Sequence, residues 1–388
     1  MLPQCSTGRD VLAVEARCPA DTVAAFLARH RRGTSPWPAG TTVILDEAAM
    51  TTTDDLAALV DLVRRNRWRL VAIGDPAQLS AVGRGGVFAH WCNTVPRAEL
   101  LTPRRFHQAW EAHASLALRA GDPTAAEQYE RHGRLRTVHP AMLVVDVART
   151  HQRHATAGRT VAVTTNTADT ARAINCAIQD LRNPRAAGAG AQLADGTTAR
   201  VGDQIATRRN DPTLRTDEGV RVRNRHTWTV TAGADDGSLA VTHPDRGTVE
   251  LPPSYVGEHV ELAWAVTGYG NQGDTVDVGI AVLEPGSTRS HAYVAMTRGH
   301  ATNLAVIPDA TGTTDPAAAL TDIITRAPRH DSALATRTRL HRDAGVPEPP
   351  FPRPDVSTID DELVAQVRST RRRLDQLQSR TPGPSLGL

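Results

Sequence analysis

Lysine does not occur in this chain of 388 residues, so all 44 of its Lys+Arg side chains are arginine. A phosphate-binding loop of the G-x-x-x-x-G-K-[ST] type needs a lysine, and the sequence therefore excludes one. Cysteine is also scarce: its four residues show neither C-x-x-C pairs nor histidines at zinc spacing. This pattern argues against a disulfide framework and a structural zinc site. No apolar run approaches about 18 residues, the length of a membrane span. Together these absences favour a reduced, cytoplasmic protein without a membrane anchor.

Positive and negative side chains nearly balance one another, so the formal net charge is only +2. The sequence therefore shows no global basic field, and any contact with nucleic acid has to come from local arginine patches. The length predicts two or three domains, each large enough for its own core.

Apolar patterning predicts a parallel α/β architecture. Short β-branched runs at residues 42–45 and 70–73 read as buried strands, and residues 54–65 between them have the spacing of an amphipathic helix. Strand, helix and strand in this order favour parallel pairing. A second α/β unit is expected after Leu100, with predicted strands at residues 160–164, 277–282 and 303–307.

The texture of the sequence changes between about residues 192 and 258, where Gly, Thr, Val and turn signals dominate. Predicted short strands at 199–203, 226–231 and 238–241 indicate a small all-β insertion, with an SH3-like barrel as a candidate form. The predicted organisation is a partial first unit (1–98), the start of a second (99–191), the insertion (192–258), the remainder of the second unit (259–328), and a proline-containing linker with a charged helix (329–388).

Two acidic residues, Asp46 and Glu47, directly follow the first predicted strand. An aspartate there can hold magnesium through its water shell, and the next glutamate can orient an attacking water. An acidic start of a helix is the simpler alternative. The apolar run before the pair favours the chemical interpretation.

The next strand ends in GDPAQL, residues 74–79. An amide such as Gln78, at the C-terminal end of a parallel strand, can contact both a terminal phosphate and the attacking water. Gly, Asp and Pro alone would indicate only a turn. One helix and one strand after Asp46 and Glu47, the segment is a much stronger signal.

These two segments resemble motifs II and III of superfamily 1 DNA helicases, specifically the RecD-like branch that includes the helicase halves of conjugative relaxases. Further segments resemble later motifs of that family in the same order. They are LLTPRRF at 100–106 (motif IV), VAVTTN at 161–166 (first strand of the second motor domain), AVTGYGNQGDT at 265–275 (motif V) and YVAMTR at 293–298 (motif VI).

The resemblance implies two RecA-like parallel-sheet motor domains, the first incomplete, with ATP and Mg²⁺ bound between them. It implies catalytic roles for Glu47, Gln78, Arg105 and Arg298, the last as an arginine finger. It assigns Asp46, Asp75 and Gly273 to cofactor binding, and Asp46 to magnesium through water.

The resemblance also implies single-stranded DNA as a partner. The residues expected to contact it are Thr164, Asn166, Arg208, Arg209, Trp228, Tyr269, Gln272 and Thr275. Arginines interleaved with an aromatic ring can follow phosphates and stack on bases, although a solvated arginine face of the insertion is an equal alternative. The family often has histidine where Tyr269 stands and a basic residue in place of Gly270, which weakens the DNA assignment in this motif.

In the family, a strand and a phosphate loop precede the motifs found here. The sequence is therefore expected to be N-terminally truncated, to need a complementing phosphate-loop segment before it uses ATP and Mg²⁺, and to be inactive in hydrolysis by itself. An upstream-encoded relaxase or phosphate-loop polypeptide is the expected partner. The alternatives are a non-enzymatic single-strand-binding or scaffold remnant, and a degenerate fragment of a mobile-element gene.

Overall fold

A computed structural model describes residues 1–2, 18–31, 37–182, 190–271, 275–326 and 333–345. The chain divides into two compact units, Met1–Ala335 and Thr336–Leu388. Within the second unit the structure describes only the remainder of one helix. Of the predicted linker and charged helix at residues 329–388, the structure describes only residues 333–345.

The described elements alternate between helices and strands over most of the chain. The helices are α1 (Val23–Arg31), α2 (Thr53–Arg65), α3 (Val87–Thr94), α4 (Ala109–Ala120), α5 (Thr124–Arg131), α6 (Leu143–Thr156), α7 (Ala168–Arg182), α8 (Pro253–His259), α9 (Gly268–Asn271), α10 (Arg289–Ala295), α11 (Pro316–Thr325) and α12 (Ala333–Asp343). The strands are β1 (Thr42–Leu45), β2 (Arg69–Ala72), β3 (Leu135–Val138), β4 (Val161–Thr165), β5 (Ala191–Gln192), β6 (Thr198–Ala199), β7 (Gln204–Thr207), β8 (Thr227–Gly233), β9 (Leu239–His243), β10 (Gly247–Leu251), β11 (Val260–Leu262), β12 (Ala265–Thr267), β13 (Val276–Val282) and β14 (Gly299–Pro308).

The first sheet is small and parallel. Strands β1 and β2 pair in parallel register, and Leu2 forms an isolated parallel bridge to Leu45 on the other side of β1. Helix α2, which Thr52 caps through a hydrogen bond from the amide of Asp55, covers one face of this sheet with α1. Parallel pairing of β1 and β2, with α2 between them in the sequence, confirms the predicted strand–helix–strand unit.

The second sheet has five parallel strands in the order β12-β4-β13-β14-β3. Its core joins apolar residues of β4, β13 and β14 to α6 and α7 on one face, and to α4, α5, α10 and α11 on the other. The buried side chain of Asn175 connects α7 to the start of β12. Its Oδ1 accepts a hydrogen bond from the amide of Ala265 at 2.7 Å, and its Nδ2 donates to the carbonyls of Leu262 and Ala265. The predicted α/β fold class is therefore confirmed.

The all-β insertion is an antiparallel sheet with the order β10-β9-β8-β7-β11. Among the described pairings, the outer strands β10 and β11 are not bonded to one another, so the sheet is open at that point. The strand predicted at 199–203 is displaced: residues 198–199 form β6, and the long ladder begins at Gln204. Asp203 is buried and accepts a hydrogen bond from the amide of Arg200 at 2.7 Å, which bends the chain into a turn at the predicted strand.

Gly299 is the first residue of β14. Helix α10 ends earlier, at Ala295, with Met296 as its C-cap residue. A Cβ atom at Gly299 would lie 2.7 Å from the amide nitrogen of Gly279 on β13. Close approach of two backbones, and not helix capping, therefore requires glycine here.

Candidate functional site

Asp46 and Glu47 lie where β1 ends, beside the end of β2. The amide of Glu47 donates to Oδ1 of Asp46 at 3.0 Å, and the amide of Ala48 donates to the carbonyl of Ile73 at 2.8 Å. Glu47 has φ 50° and ψ 43°, the left-handed conformation. Such a conformation costs a non-glycine residue roughly 1–2 kcal/mol, and strain of this kind concentrates at functional positions. Both carboxylates are half-buried.

The segment Gly74–Leu79 follows β2 and runs past the same strand end. A Cβ atom at Gly74 would lie 3.0 Å from the amide nitrogen of Ala48, so glycine permits this close approach. Oδ1 of Asp75 accepts the amide of Ala77 at 3.0 Å, and the carbonyl of Asp75 accepts the amide of Gln78 at 3.2 Å. Asp75 therefore shapes the turn that carries Gln78.

The carboxylate of Asp75 also binds two side chains that pack on the second sheet. Nε of Arg119, on α4, contacts Oδ1 at 3.0 Å, and the hydroxyl of Tyr293, on α10, donates to Oδ2 at 2.9 Å. Burial, followed by the charge of Asp75, raises the pKa of the Tyr293 hydroxyl. The structure thus places Asp75 in a contact between the two sheets, with Arg119 also reaching Glu99 at 3.1 Å.

A cavity of about 180 Å³ lies next to this contact. It brings together three of the predicted catalytic residues, Gln78, Arg105 and Arg298. The cavity is lined by Gln78, Pro103, Arg104, Arg105, Phe106, Ser115, Tyr293, Thr297 and Arg298. Asp46, Glu47 and Asp75 are not among the residues that line it.

The two predicted arginines are held by the end of α10. Arg298 is buried; its Nε donates to the carbonyl of Val294 at 2.8 Å and its Nη2 to the hydroxyl of Thr297 at 3.1 Å. Nη1 of Arg105 donates to the carbonyl of Thr297. Two permanently charged guanidinium groups beside one cavity make it suited to a phosphate-bearing ligand.

Asp46 is the predicted magnesium ligand at this place. Mg²⁺ is usually bound through one or two carboxylates, waters and substrate phosphates. Asp46 supplies a carboxylate of this kind, so the donor chemistry fits. Over the same described ranges, no group of three or more His, Cys, Asp and Glu side chains is placed to hold a metal ion.

Two residues predicted to contact DNA are inaccessible, and those predictions are wrong. Trp228 is 1% exposed and donates from Nε1 to the hydroxyl of Thr207 at 3.4 Å. Its position in β8 points the ring into the core of the insertion, because alternate residues of a strand face opposite sides. Thr164 is fully buried in β4, the second strand of the five-stranded sheet.

The other predicted DNA contacts remain accessible or lie outside the description. Asn166 and Tyr269 are half-buried, and Thr275 is exposed. Arg208 pairs with Glu261 at 3.1 Å, and Arg209 contacts His259 at 3.0 Å. Gln272 and Gly273 lie outside the described residues.

Sequence reasoning missed Arg119 and Tyr293 as residues of this region. Tyr293 lies in the segment that resembles motif VI, but only Arg298 of that segment was given a role. Arg119 lies in the last turn of α4, where a cation is favoured in any protein, so its position did not indicate this contact. Arg119 is 44 residues from Asp75 in the sequence, and Tyr293 is 218 residues from it. Only the tertiary structure shows these contacts.

Comparison with known proteins agrees with this architecture. A family model described as an AAA domain matches residues 4–140. The probable conjugal transfer protein TraA of Sinorhizobium fredii is 28% identical over 295 residues, which cover 73% of this chain and 26% of that protein. A TraA protein of Rhizobium radiobacter gives the same identity and coverage. The chain therefore spans about a quarter of the length of these relatives.

A further sequence relative and a solved structure agree with the same architecture. The RecBCD enzyme subunit RecD of Mycolicibacterium smegmatis is 39% identical over 87 residues, 22% of this chain and 15% of that protein. The crystal structure of the Pif1 helicase from Bacteroides in complex with ADP-AlF3 and ssDNA is similar with a TM-score of 0.52 at 14% identity, over 89% of this chain and 87% of that one. At this identity the likeness concerns the fold. No helix among the described residues is long and apolar enough to cross a membrane.

Proposed function

Because the chain is similar to the conjugal transfer protein TraA and to RecD, we propose that it is a portion of an ATP-dependent DNA helicase of the conjugative-relaxase type. The observation that carries this proposal is the cavity between the two parallel sheets. Gln78 from the first sheet, Arg298 from the second and Arg105 from the connecting segment line it together. Arginine and amide side chains that converge from the two sheets can contact the terminal phosphate of ATP. Hydrolysis of that ATP can then change the position of one sheet relative to the other.

Each residue has a role that its chemistry supports. Glu47 would orient the attacking water, and Asp46, the residue before it, would hold magnesium through water. Gln78 contacts the terminal phosphate and the water. Arg105 and Arg298 neutralise charge that develops on the transferred group, the function for which a planar, permanently charged donor is suited. Magnesium, if held by Asp46, would supply positive charge that offsets the negative charge of the phosphate.

The phosphate loop, on this proposal, is supplied by another polypeptide segment. The sequence contains no lysine to serve in such a loop. The first sheet also leaves apolar side chains uncovered on one face at β2: Val71 is 45% and Ile73 47% exposed. Nearby in sequence to the cavity, Leu100 and Leu101 are 98% and 70% exposed. A further polypeptide segment packed on this face would cover surface of this kind.

Single-stranded DNA is the proposed nucleic-acid partner. Asn166 follows β4, and Tyr269 lies in the short helix that follows β12, so both are at the carboxyl ends of parallel strands, where ligands meet such sheets. Thr275 is exposed directly before β13. Arg208 and Arg209 add exposed positive charge at the edge of the insertion. The Pif1 structure with bound ssDNA has the same fold, which supports this partner for the present chain.

A strand-binding experiment separates the motor from a non-enzymatic binding remnant. Fluorescence anisotropy of a labelled single-stranded oligonucleotide is measured with the chain mixed with the polypeptide encoded directly upstream, with and without a non-hydrolysable ATP analogue. The motor proposal predicts that the analogue changes the affinity several-fold. Strand binding that falls with salt but is indifferent to the analogue would favour the remnant and contradict the proposal.

A further inference from the structure

Asp75 occupies a central position in the contact between the two parallel sheets. Its backbone and side chain fix the turn of its own loop, through the amides of Ala77 at 3.0 Å and Gln78 at 3.2 Å. The same carboxylate receives Arg119 and Tyr293 at 3.0 and 2.9 Å. One side chain therefore contacts both the loop that carries Gln78 and two helices that pack on the second sheet.

The contact is protected enough from solvent to be stronger than a surface ion pair. The side chains of Arg119 and Asp75 are 29% and 19% exposed. Burial acts to lower the pKa of Arg119, but the hydrogen bond and charge of Asp75 outweigh it, so that the pKa is raised. Charge-assisted hydrogen bonds with limited hydration are about twice as strong as neutral ones.

A second contact crosses between the sheets four residues later in the same loop. A Cβ atom on Gly268, at the start of α9, would lie 3.0 Å from Cδ1 of Leu79. The loop 74–79 thus contacts the second sheet's helices through Asp75 and Leu79, on either side of Gln78. Gln78 itself lines the cavity with Arg298 and Tyr293.

The helix α10 connects the two groups of contacts. Tyr293 belongs to α10, and Arg298 follows it while donating back to the carbonyl of Val294 in the same helix. A displacement of α10 relative to β2 therefore moves Arg298 at the cavity and Tyr293 at Asp75 together.

We propose that Asp75 is a positioning residue that couples the approach of α4 and α10 to the placement of Gln78, with Arg119 and Tyr293 as its two partners. When the helices approach, their hydrogen bonds hold the Asp75 carboxylate, and that carboxylate holds the turn carrying Gln78. When they separate, Asp75 loses both partners and the turn is free to move. The proposed functional role of Gln78 rests on the proposed function above; the mechanical coupling does not.

The test is amide hydrogen exchange of the full chain without ATP or DNA. Tyr293→Phe removes one hydroxyl and keeps the ring, so the fold is retained. We expect the amides of Ala77 and Gln78 to exchange about tenfold faster, the effect on an opening equilibrium of losing one hydrogen bond to a charged group. Asp75→Asn and Arg119→Ala should give the same local increase, whereas Asp54→Asn, which breaks an exposed pair with Arg84 at 2.8 Å, should not.

Unchanged exchange at Ala77 and Gln78 in both Tyr293→Phe and Arg119→Ala would overturn the coupling, whatever the chain does with ATP. So would an increase spread evenly over the first sheet, because it would report general loosening. In the complemented motor, Tyr293→Phe should lower kcat about tenfold and leave KM for ATP within twofold. A change confined to KM would contradict a positioning role for Asp75.

Discussion

The hydroxyl of Tyr293 donates a hydrogen bond to Oδ2 of Asp75 at 2.9 Å, between residues 218 positions apart in the sequence. The contact joins the loop after β2 to the helix that precedes β14. The cavity lined by Gln78, Arg105 and Arg298 adjoins this contact. The candidate site is consequently a property of the two sheets together, and changes in either part should affect it.

Replacement of Glu47 by glutamine should abolish hydrolysis in the complemented motor. Gln has the same shape but cannot accept a proton from water, and loss of a general base costs about 10²–10⁴-fold in rate. Phosphate release from ATP is the measurement, with Asp61→Asn on the exposed face of α2 as the control. Retention of full activity by Glu47→Gln would show that another group activates the water.

Replacement of Arg298 by lysine should reduce kcat by about 10³-fold, the lower limit for loss of an arginine finger. Lysine keeps the charge but cannot reproduce the planar fork that reaches both Val294 and the cavity. Strand affinity, measured by anisotropy, should stay within about twofold. A parallel fall in strand affinity and kcat would indicate that Arg298 acts mainly through the fold.

Charge placed on the uncovered face of β2 should block complementation. Val71→Asp introduces a carboxylate on a side chain that is already 45% exposed, so the melting temperature of the isolated chain should change little. Association with the upstream polypeptide, followed by analytical ultracentrifugation, should weaken at least tenfold. Val60→Asp on α2, with 40% exposure, is the matched control. If Val71→Asp associates with the upstream polypeptide as tightly as the unsubstituted chain does, the polypeptide does not bind this face of β2.

The free energy of unfolding should decrease as the pH is lowered below neutrality, because of His151. Burial, and then Arg182 and His154, lower its pKa from 6.5 to about 4. Between these values the unfolded chain binds a proton that the folded chain does not, so the free energy of unfolding decreases as pH falls from about 6.5 to 4. The loss amounts to roughly 3 kcal/mol for this one group.

Urea unfolding of the wild type and of His151→Leu at several pH values isolates this contribution. The other histidines with lowered pKa, including His154 and His291, are common to both proteins, so the difference between the two profiles reports His151. The variant should lose less stability on acidification. Parallel profiles would show that His151 is protonated in the folded state.

Much of the fold was predictable because its signals are local. Buried parallel strands are short apolar runs, and α2 has amphipathic periodicity, so the predicted strands and this helix agree with the structure within a few residues. Gln78, Arg105 and Arg298 were predicted from resemblance to known motifs, and the structure brings these three to one cavity.

The remainder depends on tertiary contacts that no local pattern encodes. The face of β8 that Trp228 occupies depends on strand register, and a shift of one residue reverses it. The need for glycine at position 299 is explained by the close backbone of β13. The partners of Asp75 come from two distant helices. Interpretation of single segments cannot show which charged residue of one segment will meet another.

ATP hydrolysis stimulated by single-stranded DNA tests the central claim most directly. It should be measured for the purified chain alone, for the chain mixed with the polypeptide encoded directly upstream, and for that mixture with Glu47→Gln. The account predicts hydrolysis only in the wild-type mixture. Robust DNA-stimulated hydrolysis by the chain alone, abolished by Glu47→Gln, would contradict the need for a complementing phosphate loop; inactivity of a folded, associated mixture would contradict the motor itself.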